Sequence, residues 1–217
     1  MTKPMIVFPD GVIQEQYALG DVAPGNWAAD EVIYRLLSYV DPGDGPRYYY
    51  AARKNFTPVE VPDIVKFVKA LAQGKSTAQL VTDGAKRLQT SARSISKLPS
   101  AWDIDVFHKC YIVLELDRTK KWTFQSDFDG VTTNEKHDDE YFYLKHVSQA
   151  GDVLAGPPAD ADMCRILYFS VDTPQGYRSD KFNISVQFPQ APGQAPQGST
   201  FDPDIKNNGG PPVLPFV

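Results

Sequence analysis

Residues 110–117 read Cys110-Tyr111-Ile112-Val113-Leu114-Glu115-Leu116-Asp117. Cys110, Ile112, Leu114 and Leu116 fall on one face of this stretch, and Tyr111, Val113, Glu115 and Asp117 on the other, a period of two that suits a strand and not a helix. An apolar sheet face needs a second layer to bury it. The sequence reading places later strands beside this one and a helical N-terminal half over it.

Four more strand signals follow: Trp122–Ser126, Tyr141–Val147, Cys164–Val171 and Phe182–Phe188. Loops rich in Gly, Asp, Pro and Asn separate them, with no helix-length periodic segment between, so antiparallel pairing is expected. Cys164–Val171 is apolar on both faces and is expected at the centre of a sheet, covered from both sides. Phe182, Ile184, Val186 and Phe188 alternate with Asn183, Ser185 and Gln187, which predicts one dry and one wet face.

Upstream, Met5–Phe8 and Val12-Ile13 flank the turn Pro9-Asp10-Gly11 as a short hairpin. Asn26 reads as the cap of a helix with Ala29, Ile33, Leu36, Leu37 and Val40 on one face, stopped by Asp41-Pro42-Gly43. The run Arg47–Phe56, RYYYAARKNF, reads as an aromatic strand, with base stacking beside phosphate contacts as the alternative. Pro62 opens a helix with the stripe Ile64, Phe67, Val68 and Leu71, and Gly74 closes it. Ser76–Gln79 has capping-box form, and Val81, Ala85, Leu88, Ala92 and Ile95 give a second helix a seam for packing on the first.

These elements together predict an α+β protein in which a helical N-terminal half packs on a C-terminal antiparallel sheet or sandwich of about five strands. The expected division is residues 1–98, mainly helical with a short hairpin and a basic helix pair; 99–188, β-rich; and 189–217, a Pro/Gly-rich tail ending in an apolar VLPF segment. At 217 residues, 42% hydrophobic and 23% charged, the chain can build an ordinary core without a disulfide or metal. It has no apolar run of transmembrane length, and Pro9-Asp10 interrupts the start too early for a signal-peptide core, so a cytoplasmic protein is expected. Cys110 and Cys164 read as two reduced core thiols, with a bridge as the alternative, and no spacing suits structural zinc.

The net charge is −5, unevenly spread. Residues 61–98 carry seven basic groups against Asp63 and Asp83. Lys86, Arg93 and Lys97 recur on one stripe there and are the candidate contacts for an anion or partner, unless they lie against the acidic half of the same chain.

Three acidic stretches bear on metal chemistry. Asp127-Phe128-Asp129-Gly130-Val131-Thr132 resembles the first motif of haloacid-dehalogenase-like phosphatases. The resemblance implies Asp127 as nucleophile, Asp129 as general acid and magnesium between them, in a parallel α/β body. The downstream chain reads instead as strands, and a hairpin loop with two aspartates is the plainer reading. Asp138 and Asp139 lie in a second acidic loop; with Asp127 and Asp129 they would make a divalent-cation site if loops 127–130 and 137–140 met. Asp202–Gly209 resembles a calcium loop, but its fifth position is Lys206 and its glycine is displaced, and Pro203 with Asn208-Gly209 accounts for it as turn chemistry.

No GxSxG elbow, Walker loop or GxGxxG is present. His146, among strand residues, reads as a structural histidine. The expectation is therefore a non-catalytic binding or assembly module, with a protein partner or a second copy favoured over nucleic acid. It needs no cofactor, although a divalent cation fits the acidic loops. The alternatives are a divalent-metal-dependent hydrolase using loops 127–130 and 137–140, and nucleic-acid binding through 47–54 and 61–98.

Overall fold

Cys110–Leu116 is a strand, and both of its faces are covered. The computed structural model describes residues 5–7, 13–24, 33–39, 46–52, 64–74, 104–106, 110–116, 122–125, 129–136, 140–156, 164–172, 178–188, 190, 192–201 and 204–207. In chain order these give strands β1 (Met5–Val7), β2 (Ile13–Glu15), β3 (Ile33–Tyr39) and β4 (Pro46–Ala52), then helix α1 (Ile64–Ala72). There follow β5 (Ile104–Val106), β6 (Cys110–Leu116), β7 (Thr123–Phe124), β8 (Val131–Thr133), β9 (Tyr141–Val147) and β10 (Val153–Leu154). The last are β11 (Ile166–Val171), β12 (Arg178–Phe188), β13 (Gln197–Phe201) and β14 (Asp204–Asn207).

Six strands form the first sheet in the order β10-β9-β11-β6-β3-β4. All neighbours are antiparallel except β3 and β6, which run parallel with Ile33 opposite Cys110 and Tyr39 opposite Leu116. The second sheet is built on the long β12. Along one edge β13 and β14 keep a single register, Ile184 facing Phe201 and Lys181 facing Asp204, and β5 continues beyond β14 in parallel. On the other edge lie β7 and β8. Strands β1 and β2 form a separate hairpin.

The two sheets face one another. Ile112, Leu114 and Leu116 of β6 and Leu167, Phe169 and Val171 of β11 pack against Trp122, Phe124, Val131, Phe182, Ile184 and Val186. Phe169 stacks on Phe182 at 5.8 Å, and Tyr141 meets Phe182 edge-on at 4.6 Å. On the reverse face of the first sheet, Val113, Val147, Ile166 and Tyr168 receive Ile64, Phe67, Val68 and Leu71 of α1. Val68 and Leu71 are fully buried, and each such side chain contributes about 1.5–3 kcal/mol. The layers are thus helix, sheet, sheet, and β11 is central and covered on both sides as its sequence requires.

The fold class expected from the sequence is corrected. The described residues are mostly strand with one short helix, so no helical half packs on a sheet. The stretch given a helical stripe at Ile33, Leu36 and Leu37 is β3, because its parallel pairing with β6 satisfies its backbone inside a sheet. A second sheet, not a helical half, covers the Ile112–Leu114–Leu116 face. The expected wet face of β12 is also dry: Asn183 and Ser185 are fully buried. The helix read over 76–97 lies outside the described residues.

α1 ends as its sequence suggests, with Gly74 at φ 91° donating to Leu71 O at 3.1 Å. Cys164 is a free, buried thiol that burial pushes up to about 11. Its Sγ lies 2.7 Å from Ile166 O. No helix among the described residues is long and apolar enough to cross a membrane.

Candidate functional site

The two partial strands on the outer edge of β12 are out of step. Val186 faces Phe124 and Ile184 faces Val131, so seven residues on one strand correspond to two on the other. The surplus forms an excursion that returns through Asp129 and Gly130, both left-handed at φ 53° and 79°. Aspartate and glycine are the residue types that accept this conformation most readily. Gly130 is required sterically as well, since a Cβ there would lie 2.9 Å from Leu167 Cδ2 and 3.0 Å from Phe124 Cβ.

The turn brings Asp129 against His146 of β9. His146 is 1% exposed, and its Nε2 lies 2.8 Å from the main-chain oxygen of Asp129. A carbonyl can only accept, so Nε2 carries the hydrogen and, in the neutral ring, Nδ1 keeps its lone pair. That Nδ1 is buried and has no hydrogen-bond partner among the described residues. Burial holds the His146 pKa below its ordinary value, with Lys145 adding to the effect and Asp129 opposing it. Burial pushes the Asp129 carboxyl up, opposed by His146 and reinforced by Asp21.

Asp21 arrives on a strap that ties the two sheets together. Tyr17 exchanges backbone hydrogen bonds with Thr133 of β8 at 2.9 and 3.0 Å, and Gly20 bonds Tyr141 O and Tyr143 N of β9 at 3.0 and 2.6 Å. Leu19 between them enters the inter-sheet core. Gln16 anchors the strap: its Oε1 accepts from Thr132 Oγ1 at 2.6 Å and from Asn183 Nδ2 at 2.7 Å, and Asn134 completes the buried amide cluster.

β9 carries a bulge beside this rim. Tyr168 pairs with Lys145 but Ser170 pairs with Phe142, so β9 has one extra residue, and Tyr143 takes φ 61°. The bulge puts Tyr143 on the helix-covered face with Tyr168 and Tyr111, while His146 faces the inter-sheet side opposite Leu167. His146 therefore lies on the opposite face of β9 from Phe142.

Of the residues singled out in the sequence for metal, Asp129 is described; Asp127, Asp138 and Asp139 lie outside the described residues, as do Lys86, Arg93 and Lys97. Glu140, the described end of the second acidic loop, precedes β9, whereas Asp129 meets β9 at His146. Six residues of strand, roughly 20 Å, separate the two places. Among the described residues no three His, Cys, Asp or Glu side chains converge on a metal position. The Asp129–Gly130 turn sits between edge strands of an antiparallel sheet, unlike the parallel context that the phosphatase resemblance requires. In the calcium-like stretch, Asp204–Asn207 is strand β14. Sequence reasoning missed Asp21, which sits in a turn-rich stretch without a motif, and the bulge at Tyr143.

Residues 51–210 match a family model described as a predicted novel nucleotide synthetase. No protein of curated function matches the chain. The match spans more than half of the 217 residues, and the chain belongs to that family. Membership overturns the expectation of a non-catalytic assembly module. The absence of familiar loops and elbows was a poor guide because it tests only for catalytic architectures already catalogued by motif.

Proposed function

We propose that this chain, as one of the predicted nucleotide synthetases, is a nucleotidyltransferase-like enzyme that builds a nucleotide at the rim formed by the Asp129–Gly130 turn, His146 and Asp21. The family match over 51–210 carries the reading. The geometry adds a specific proton acceptor. His146 is held neutral by burial, its Nε2–H is committed to Asp129 O, and its Nδ1 lone pair is uncommitted among the described residues.

In this reading an acceptor hydroxyl bonds to the α-phosphorus of a nucleoside triphosphate. Its proton passes to Nδ1, the bridging P–O bond breaks, and pyrophosphate leaves with the electron pair. A positioned base of this kind contributes about 10²–10⁴-fold to rate. A divalent cation, which the sequence reading allows at the acidic loops, would serve as counter-ion of the substrate phosphates, with Asp129 as the described carboxylate at the rim. The experiment is pyrophosphate release from each nucleoside triphosphate, with magnesium and a small-molecule cell extract as the source of acceptor. Release that depends on the protein supports the reading, and unchanged triphosphate in every mixture overturns it.

A further inference from the structure

We infer that Tyr143, Lys145, Tyr111 and Ser170 form a nucleoside subsite, in which the Tyr143 ring takes the base and the Lys145 ammonium takes the phosphates. The inference rests on the nucleotide reading above and locates the substrate on the opposite face of β9 from His146.

Tyr143 is the first observation. Non-glycine residues at positive φ are strained and persist where surrounding structure enforces them, and bulges re-aim side chains beside functional sites. Here the enforcement is visible: Tyr143 is the extra residue of β9, and its N–H donates to Gly20 O of the strap at 2.6 Å. The result is a half-buried ring standing edge-on to Tyr168 at 6.5 Å, with Tyr111 edge-on to the same Tyr168 at 5.9 Å. α1 seats on Val113, Val147, Ile166 and Tyr168, and leaves Tyr111 and Tyr143 at the margin of that contact.

Ser170 is the second. It pairs with Tyr111 in the sheet and is fully buried, with its hydroxyl beside the Tyr111 phenol. A hydroxyl beside tyrosine rings is suited to the edge of a base, which carries both donors and acceptors. Burial raises the pKa of the Tyr111 phenol, Tyr143 adds to the effect, and a hydrogen bond with Ser170 opposes it.

Lys145 is the third. Its Nζ stands 4.3 Å from the centre of the Tyr143 ring, and the residue is half-buried. A partly exposed cation–π contact is weaker than base–aromatic stacking, so an arriving base displaces the ammonium from the ring. The released ammonium remains close to the phosphates of the same molecule. Among the described residues, the outer side of β9 is unpaired at this point. The strap bridges Phe142, and β10 pairs only with Val147 and His146, so Leu144 and Lys145 have no outer strand partner among the described residues. A nucleotide held by Lys145 would direct its phosphates along this edge of β9 toward the Asp129–His146 rim.

The test is saturation-transfer NMR and titration calorimetry of the full chain with ATP, GTP, CTP and UTP in turn. Base protons should receive saturation from the protein for at least one of them. Tyr143→Gly, which suits φ 61° and removes the ring, should weaken that nucleotide by about tenfold to hundredfold. Tyr143→Phe should retain the affinity. Lys145→Gln should weaken the triphosphate but leave the nucleoside unchanged. Circular dichroism checks the fold of each variant, and the Phe and Gln variants keep the test intact if the glycine variant does not fold. If the wild type binds a nucleotide that Tyr143→Gly and Lys145→Gln bind equally well, the subsite is wrong and the enzyme reading stands. If the wild type binds none of the four, both fall.

Discussion

The imidazole of His146 donates through Nε2 to the main-chain oxygen of Asp129 at 2.8 Å, joining β9 of one sheet to the edge excursion of the other. One hydrogen bond thus fixes the tautomer of a buried histidine and the position of a strained aspartate. Neither residue reaches this relation through local sequence, since 17 positions separate them.

The buried histidine makes stability depend on pH with a definite sign. The folded-state pKa of His146 lies below its ordinary value, so the unfolded chain takes up the proton first. The contribution is fully present above about pH 6.5 and is lost as pH falls through the folded pKa. Urea midpoints at pH 7.5 and 5.0 should fall more for the wild type than for His146→Gln. Equal falls would contradict it.

Asp129 runs the other way. Burial raises its folded pKa, so the ionised carboxylate is disfavoured in the fold at neutral pH, and that penalty is relieved as pH falls through the raised value. Asparagine keeps the shape and accepts φ 53°. Asp129→Asn is expected to be at least as stable as the wild type at pH 7, with the difference shrinking on acidification, and inactive if the carboxylate serves the reaction. Denaturant titrations across pH 3.5–7, alongside the pyrophosphate assay, check both parts.

Gly130→Ala tests the turn. A side chain at φ 79° is strained, and its Cβ would meet Leu167 Cδ2 at 2.9 Å. The two costs together are about 2–4 kcal/mol, readable as a lowered denaturant midpoint with an unchanged slope.

The amide cluster under the strap is tested by Thr132→Val, which keeps volume and deletes the donor to Gln16 Oε1. The loss should be about 0.5–1.5 kcal/mol, because Gln16 Oε1 keeps its bond from Asn183 Nδ2. Hydrogen exchange should quicken at Tyr17 and Gly20, whose amides hold the strap to β8 and β9, before it quickens in β11.

Much of the β architecture was legible because it follows from short-range pattern. The alternation in Cys110–Leu116, the two-sided apolarity of Ile166–Val171 and the Ile64–Phe67–Val68–Leu71 stripe each specify their burial locally. Ile33–Tyr39 was misread because Ile33, Leu36 and Leu37 satisfy helical spacing as well. The deciding partner is a strand 77 residues downstream, and tertiary pairing overrides propensity. The buried polar face of β12 was illegible for a similar reason: the Asn183 amide nitrogen donates to Gln16, 167 positions away. Within the site, the Asp129–Gly130 turn announces itself by residue type, whereas the bulge at Tyr143 shows no Gly or Pro signal. Without that bulge the faces of Phe142 and His146 cannot be assigned.

The most direct test of the central claim is steady-state pyrophosphate release by wild type and His146→Gln, each first shown to be folded, with the triphosphate and acceptor fraction that support turnover. The account predicts a fall in kcat of about 10²-fold or more with KM little changed, because Nδ1 acts on the proton in transit and not on ground-state binding. Wild-type kcat in His146→Gln would contradict it.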